Sequence, residues 1–198
     1  WNYNNSIREY ICNFIMSKLE TNTIDNISGS STLTIGDSNT STITLKSGAT
    51  LTNFPANTPA WFVTKTAVQS ISNNTETVVS FETEEIDTDS AFSSNTTFTV
   101  PSGKAGKYVA FGQVRFETTS TFAYINAMIQ HNSTNVTSAW NANNASGYST
   151  IDVHCMVDLA ETDTLKFICR QQSGGALNIG TFDRGHVVYF GGYKLIGA

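Results

Sequence analysis

The chain has 198 residues, a formal net charge of −5 and a pI near 5.1, with 14% charged residues and no cluster of Lys or Arg. Nucleic-acid binders need a basic footprint to neutralise phosphates, so nucleic acid is not an expected partner. No apolar run approaches membrane-spanning length and residues 1–15 lack signal-peptide order, so neither membrane insertion nor secretory processing is expected.

Residues 6–19, SIREYICNFIMSKL, put Ile7, Tyr10, Ile11, Phe14, Ile15 and Leu19 on one side of a helix. This predicts a helical attachment segment over residues 1–20. From 21 to 59 the texture changes to short alternating fragments, TLTIG, STITL and ATLTNF, each with too few apolar side chains for a core of its own. The doublets Leu33/Ile35, Ile43/Leu45 and Leu51/Phe54 point to a β-rich trimeric stalk wrapped from identical chains, with a disordered linker as the alternative.

From Ala60 to the end, apolar alternation and turn residues predict an all-β sandwich head. Its strands are expected at 61–69, 75–83, 96–101, 106–117, 121–130, 148–159, 163–171, 176–180 and 186–197. In GKYVAFGQVRFE, Tyr108, Ala110, Val114 and Phe116 share one phase, while Val109 and Phe111 fall in the other. That strand has two faces to bury, the second against a neighbouring chain or under a loop of its own chain.

Chemistry-bearing signatures are sparse. His131, His154 and His186 stand without a nucleophile or metal motif, and the acids of ETEEIDTD (82–89) cluster locally, as in a solvated loop. Their spacing matches no calcium loop, so no catalytic residue, cofactor or metal is assigned. Cys12, Cys155 and Cys169 lack metal-type spacing. A hairpin turning about residues 160–163 would pair Cys155 with Cys169 on one inward face, as buried reduced thiols. Residues 131–148, HNSTNVTSAWNANNASGY, read as a long amide-rich loop in which Trp140 and Tyr148 suit a sugar ring, or in which Trp140 anchors the loop to the sandwich.

Four pieces resemble, in order, the complement C1q-type globular head. FTVPSGKAGKY (98–108) is similar to its Phe-Thr-x-Pro-x-x-Gly-x-Tyr hairpin and VSFETEEIDTDSAF (79–92) to the preceding strand and loop. LAETDTLKF (159–167) resembles its acidic hairpin, and YFGGYKLIG (189–197) its closing strand. Ala110 departs from that pattern, standing where a large aromatic is usual. In the front part, Met16-Ser-Lys-Leu-Glu-Thr-Asn-Thr-Ile resembles the opening of tailed-phage fibre proteins, with Met16 as a candidate natural start, and residues 34–60 resemble the spacer before their tips.

The resemblance implies a C1q/tumour necrosis factor-like jelly-roll head over residues 60–198 that assembles as a homotrimer, with Val109 and Phe111 at the trimer interface. It further implies a non-enzymatic virion fibre, held to the particle by its N-terminal segment and exposed on the particle surface, that attaches to a host-surface glycan or protein. A structural capsid or tail decoration and a polysaccharide depolymerase are the alternatives. In this arrangement the connections 117–121, 160–163 and 181–185 face away from the stalk. They make Glu117, Glu161, Asp163, Asp183 and Arg184 candidate contact residues, with Trp140 and Tyr148 on a second surface at the flank.

Overall fold

The computed structural model describes residue 47 and residues 57–118, 123–142, 147–180 and 186–196; apart from Ser47 these lie in the second of the chain's two units, Thr52–Ala198. Except for Ser47 and residues 57–59, the expected N-terminal helix and stalk lie outside the described residues. The described residues form strands and no helix: β1 (Ala60–Thr64), β2 (Gln69–Ile71), β3 (Thr77–Val78), β4 (Thr83–Asp87), β5 (Phe92–Ser93) and β6 (Thr97–Thr99) are short. The longer ones are β7 (Gly106–Thr118), β8 (Tyr124–His131), β9 (Thr134–Asn141), β10 (Gly147–Leu159) and β11 (Thr164–Gln172), followed by β12 (Leu177–Ile179) and β13 (Tyr189–Lys194).

Two sheets result, and every strand pairing in them is antiparallel. In sheet A, β10 lies on one edge of β7 and β13 on the other, followed by β1 and β4; β12 extends beside β7 and carries β2. Sheet B runs β5, β6, β11, β8, β9, with β3 also on β11.

Strand alternation places the core. On β7, Tyr108, Ala110, Val114 and Phe116 are buried between the sheets, as their phase predicts. Trp61 of sheet A stacks on Phe98 of sheet B with ring centroids 3.8 Å apart, and Phe167 faces Phe190 at 5.9 Å. Each such buried side chain contributes about 1.5–3 kcal/mol of transfer free energy. Close approach at the centre depends on Gly192, where an added Cβ would lie 2.3 Å from the Trp61 ring and 2.5 Å from the Val109 carbonyl oxygen.

Five expectations change. The strand expected over 61–69 is interrupted after Thr64, because the Glu82 carboxylate accepts the amide hydrogens of Thr66 (2.8 Å) and Ala67 (3.1 Å) and draws the backbone off the ladder. The strand expected over 75–83 is divided between sheets, β3 in sheet B and β4 in sheet A, with buried Val79 and Phe81 at the crossing. Thr83–Asp87, expected within a solvated acidic loop, is the edge strand beside β1, and the Asp87 carboxylate accepts from the Ala91 and Phe92 amides.

Residues 131–148, expected as a loop, turn at once through Asn132 (φ 52°) into β9. Thr, Val, Ala and Trp alternate there, and a local turn residue needs no long connection.

Cys155 and Cys169 are not cross-strand partners. β10 pairs with β7 and β11 with β8, so the connection at 160–163 crosses between sheets instead of closing a hairpin. Cys155 sits opposite Ala110 and Cys169 opposite Ala127. Both thiols are free, and burial pushes both up from the usual thiol range. Protonated and lodged against the core, they act as small apolar residues.

Candidate functional site

Part of the outward phase of sheet A is apolar, although Gln113, Arg115, Asp152 and Asp158 share that phase. Its register lays Ile86, Phe62, Gly191 and Phe111 in one row across β4, β1, β13 and β7, ending at His154 of β10. The next row carries Tyr193, Val109 and Met156. Phe62, Phe111 and Tyr189 pack in tilted and T-shaped pairs with centroids 5.5–6.4 Å apart, around Gly191, where a Cβ would come within 2.9 Å of the Phe111 ring. Ile86, Tyr193 and Met156 are exposed, Met156 at 78%. Val109 and Phe111 are half-buried, and the side chains around them belong to neighbouring strands of their own sheet. Contiguous apolar surface of this kind is a candidate interaction face.

The outer face of sheet B carries a groove of about 340 Å³ lined by Glu76, Ala123, Tyr124, Asn126, Met128, Trp140 and Arg170. Trp140, on β9 opposite Asn126, is 70% exposed. It therefore presents its indole to solvent and does not anchor a loop. Tyr148 lies on β10 of sheet A with the Arg115 guanidinium 4.1 Å above its ring, so the two aromatics expected to share a flank belong to different sheets.

The expected distal loops do not gather at one end either. Leu159 faces Gly106 and Gly147 faces Thr118, so the turn 160–163 and Glu117 lie at opposite ends of β7, about 40 Å apart at ~3.3 Å per residue. The unexpected strand β9 adds one reversal of direction, so every later connection lies at the end opposite to the expected one. The 160–163 end is also where the described head begins and closes, since the Lys194 amide donates to the Pro59 carbonyl (3.0 Å) and Lys104 Nζ to the Thr58 hydroxyl (3.1 Å). Glu117 is half-buried on β7 between Tyr148 and Asn178. Asp183 and Arg184 lie outside the described residues.

Glu161 and Asp163 are engaged in building turns. Glu161 accepts from the Gly103 amide (2.7 Å) and the Ser102 hydroxyl (3.1 Å). Asp163 accepts from Asn132 Nδ2 and the Ala160 amide, each at 2.9 Å, and pairs with His131 Nε2 at 2.8 Å. The Asn132 hydrogen bond, followed by those of Ala160 and His131, holds its carboxyl at about 2, below the ordinary 3.8. A depressed folded-state value contributes stability above the unfolded one and loses it as pH falls through the folded one. Wild-type stability should thus fall more steeply between pH 3.8 and about 2 than that of Asp163→Asn, as followed by chemical denaturation. Equal slopes would remove Asp163 from the acid response.

The other candidate acid–base groups have separate surroundings. His154 is exposed on β10, and His186 stands 3.9 Å from Glu85 with its ring edge-on to Phe62. Among the described residues no three His, Cys, Asp or Glu converge as metal ligands.

No family model and no curated protein matches the sequence. Solved structures do match. The globular domain of zebrafish complement 1qA protein aligns with a TM-score of 0.50 at 14% identity, over 69% of this chain and 97% of its own. Murine APRIL aligns with a TM-score of 0.52 at 12% identity, over 69% of this chain and 98% of its own. The described domain is a C1q/TNF-like jelly roll. The order of motifs at 79–92, 98–108, 159–167 and 189–197 had pointed to that fold. In this jelly roll the aromatic face belongs to the sheet holding both β1 and β13, and the groove to the opposite one.

Sequence reasoning found Val109 and Phe111 but missed Phe62, Tyr189, Tyr193 and Gly191 beside them. Out-of-phase aromatics in WFVT and YFGGY were the available signal. Arg170, Tyr124, Asn126 and Glu76 left no comparable trace, because only the pairing of β8 with β9 and of β11 with β8 and β3 brings them together.

Proposed function

We propose that this chain is a non-enzymatic, homotrimeric recognition head carried on a viral fibre, with three sandwiches joined through the outer face of sheet A. The observation that carries the reading is the aromatic cover of that face, where Phe62, Phe111, Tyr189 and Tyr193 adjoin exposed Ile86 and Met156. Three copies meeting there would withdraw these rings from water at roughly 25 cal/mol per Å² of apolar area. A closed assembly of identical chains covers such a face without leaving an open end. The C1q/TNF-like fold supports self-association, and the fibre-like opening at Met16 with the spacer-like run 34–60 supports a place on a virion, attached by the N-terminal segment. Its partner at the other end would be a host-surface glycan or protein.

Native mass spectrometry should report three times the 21.5 kDa of one chain. Phe111→Asp combined with Tyr193→Asp should shift the species to monomer while a cooperative melt persists. A wild-type protein that is a stable monomer would sink the assembly, and release of reducing sugar from bacterial polysaccharide would sink the non-enzymatic reading.

A further inference from the structure

We infer that the groove on sheet B binds a neutral pyranose sugar, stacked on Trp140 and hydrogen-bonded by Asn126, Arg170 and Glu76. The inference rests on the recognition reading above and names the ligand class and the surface it uses.

Trp140 supplies the platform. Its indole is 70% exposed beside a floor containing Met128, and its own strand otherwise turns Thr134, Val136 and Ser138 outward. A pyranose carries one apolar C–H face and a rim of hydroxyls, so it needs an aromatic surface bordered by donors and acceptors. The groove has both. Asn126 uses its amide hydrogen on the Ala139 carbonyl (3.0 Å), leaving its side-chain oxygen as an acceptor.

Arg170 is held in place by Asn74, which also takes the Tyr124 hydroxyl, and its guanidinium lies 5.8 Å from the Tyr124 ring centre. Its Nε is buried, so any hydrogen bond from Arg170 to a ligand in the groove comes from its terminal guanidinium nitrogens. Glu76 takes only a long 3.5 Å contact from Asn135, leaving most of its acceptor capacity open.

Charge decides the class. One guanidinium and one carboxylate face the same groove, so an anion meets Glu76 and a cation meets Arg170. A neutral polyhydroxyl ligand uses both without a desolvated unpaired charge. A volume of about 340 Å³ lies at the small end of ligand pockets, which suits one or two sugar rings of a longer chain. The groove is on the sheet opposite the aromatic face, so assembly through sheet A leaves three copies open, and simultaneous engagement multiplies weak single-site binding.

The test applies the full chain to an array carrying neutral, sialylated and sulfated oligosaccharides, then titrates each retained glycan by calorimetry. Neutral glycans should be retained. Trp140→Ala should weaken them about ten-fold or more, with Trp140→Phe intermediate. Asn126→Ala should weaken them as well, and thermal melts confirm that each variant is folded. Glu76→Gln should gain affinity for the sialylated probes, an outcome that a purely structural Glu76 would not produce. Retention of no neutral glycan, retention of charged glycans only, or equal affinity in Trp140→Ala and wild type would overturn the inference. Native mass on the same sample separates this from the assembly reading, since a trimer that ignores every neutral glycan defeats the groove and leaves the trimer standing.

Discussion

Glu82→Ala should lower the unfolding free energy by about 2–3 kcal/mol, the cost of leaving a buried ammonium without its partly exposed charged partner. Lys65 sits with its side chain 1% exposed, its ammonium 3.0 Å from Glu82 Oε1 and 2.9 Å from the Ser80 carbonyl. Partial burial pushes the Glu82 carboxyl up, but hydrogen bonds from the Thr66 amide, Lys65 and the Ala67 amide, with the Lys65 charge, bring it below its ordinary value. Truncation therefore leaves the buried ammonium with only its Ser80 hydrogen bonds and turns the Thr66 and Ala67 amides over to solvent. Lys65→Met removes the charge and leaves Glu82 holding Thr66 and Ala67, so it should cost less than half as much. Chemical denaturation must be run at one protein concentration, because self-association contributes to apparent stability. A Glu82→Ala protein within about 1 kcal/mol of wild type would show that the pair contributes little.

Gly192→Ala is expected to be comparably damaging, at roughly 3 kcal/mol or more, through overpacking. The new methyl has no space: the Trp61 ring is 2.3 Å away and the Val109 carbonyl oxygen 2.5 Å away. Trp61 is locked against Phe98 at 3.8 Å and Phe190 at 5.6 Å, and Val109 is backbone of the adjacent strand, so neither gives way cheaply. Gly175→Ala, with nothing within 4 Å of the added Cβ, is the control and should change stability little. If both substitutions shift the melting transition equally, steric exclusion at Gly192 is not what keeps the sandwich closed.

Within the described head, local pattern already determined several things. Period-2 burial along 106–118 and 164–171, with turn residues between, specifies an all-β sandwich, because a strand can bury only alternate side chains on each face. The second apolar phase at Val109 and Phe111 announced a second face to cover. The ordered motifs from Val79 to Gly197 indicated which sandwich this is. None of these needs knowledge of which strand lies beside which.

The remainder depends on pairing partners, which are non-local. A strand's alternation is the same whichever sheet it joins, so nothing in 148–171 distinguishes a hairpin from a crossing between sheets. That choice keeps Cys155 and Cys169 from pairing across one ladder, while the added strand β9 sends Glu161 and Asp163 to the end opposite Glu117. The mostly polar run 134–141 reads as a loop until β8 supplies the ladder that makes it an edge strand. The groove is the clearest case: Glu76, Tyr124, Trp140 and Arg170 span 95 sequence positions, and each alone is an ordinary surface residue. Only the tertiary register, set by burial of the opposite phase of the same strands, brings them to one place.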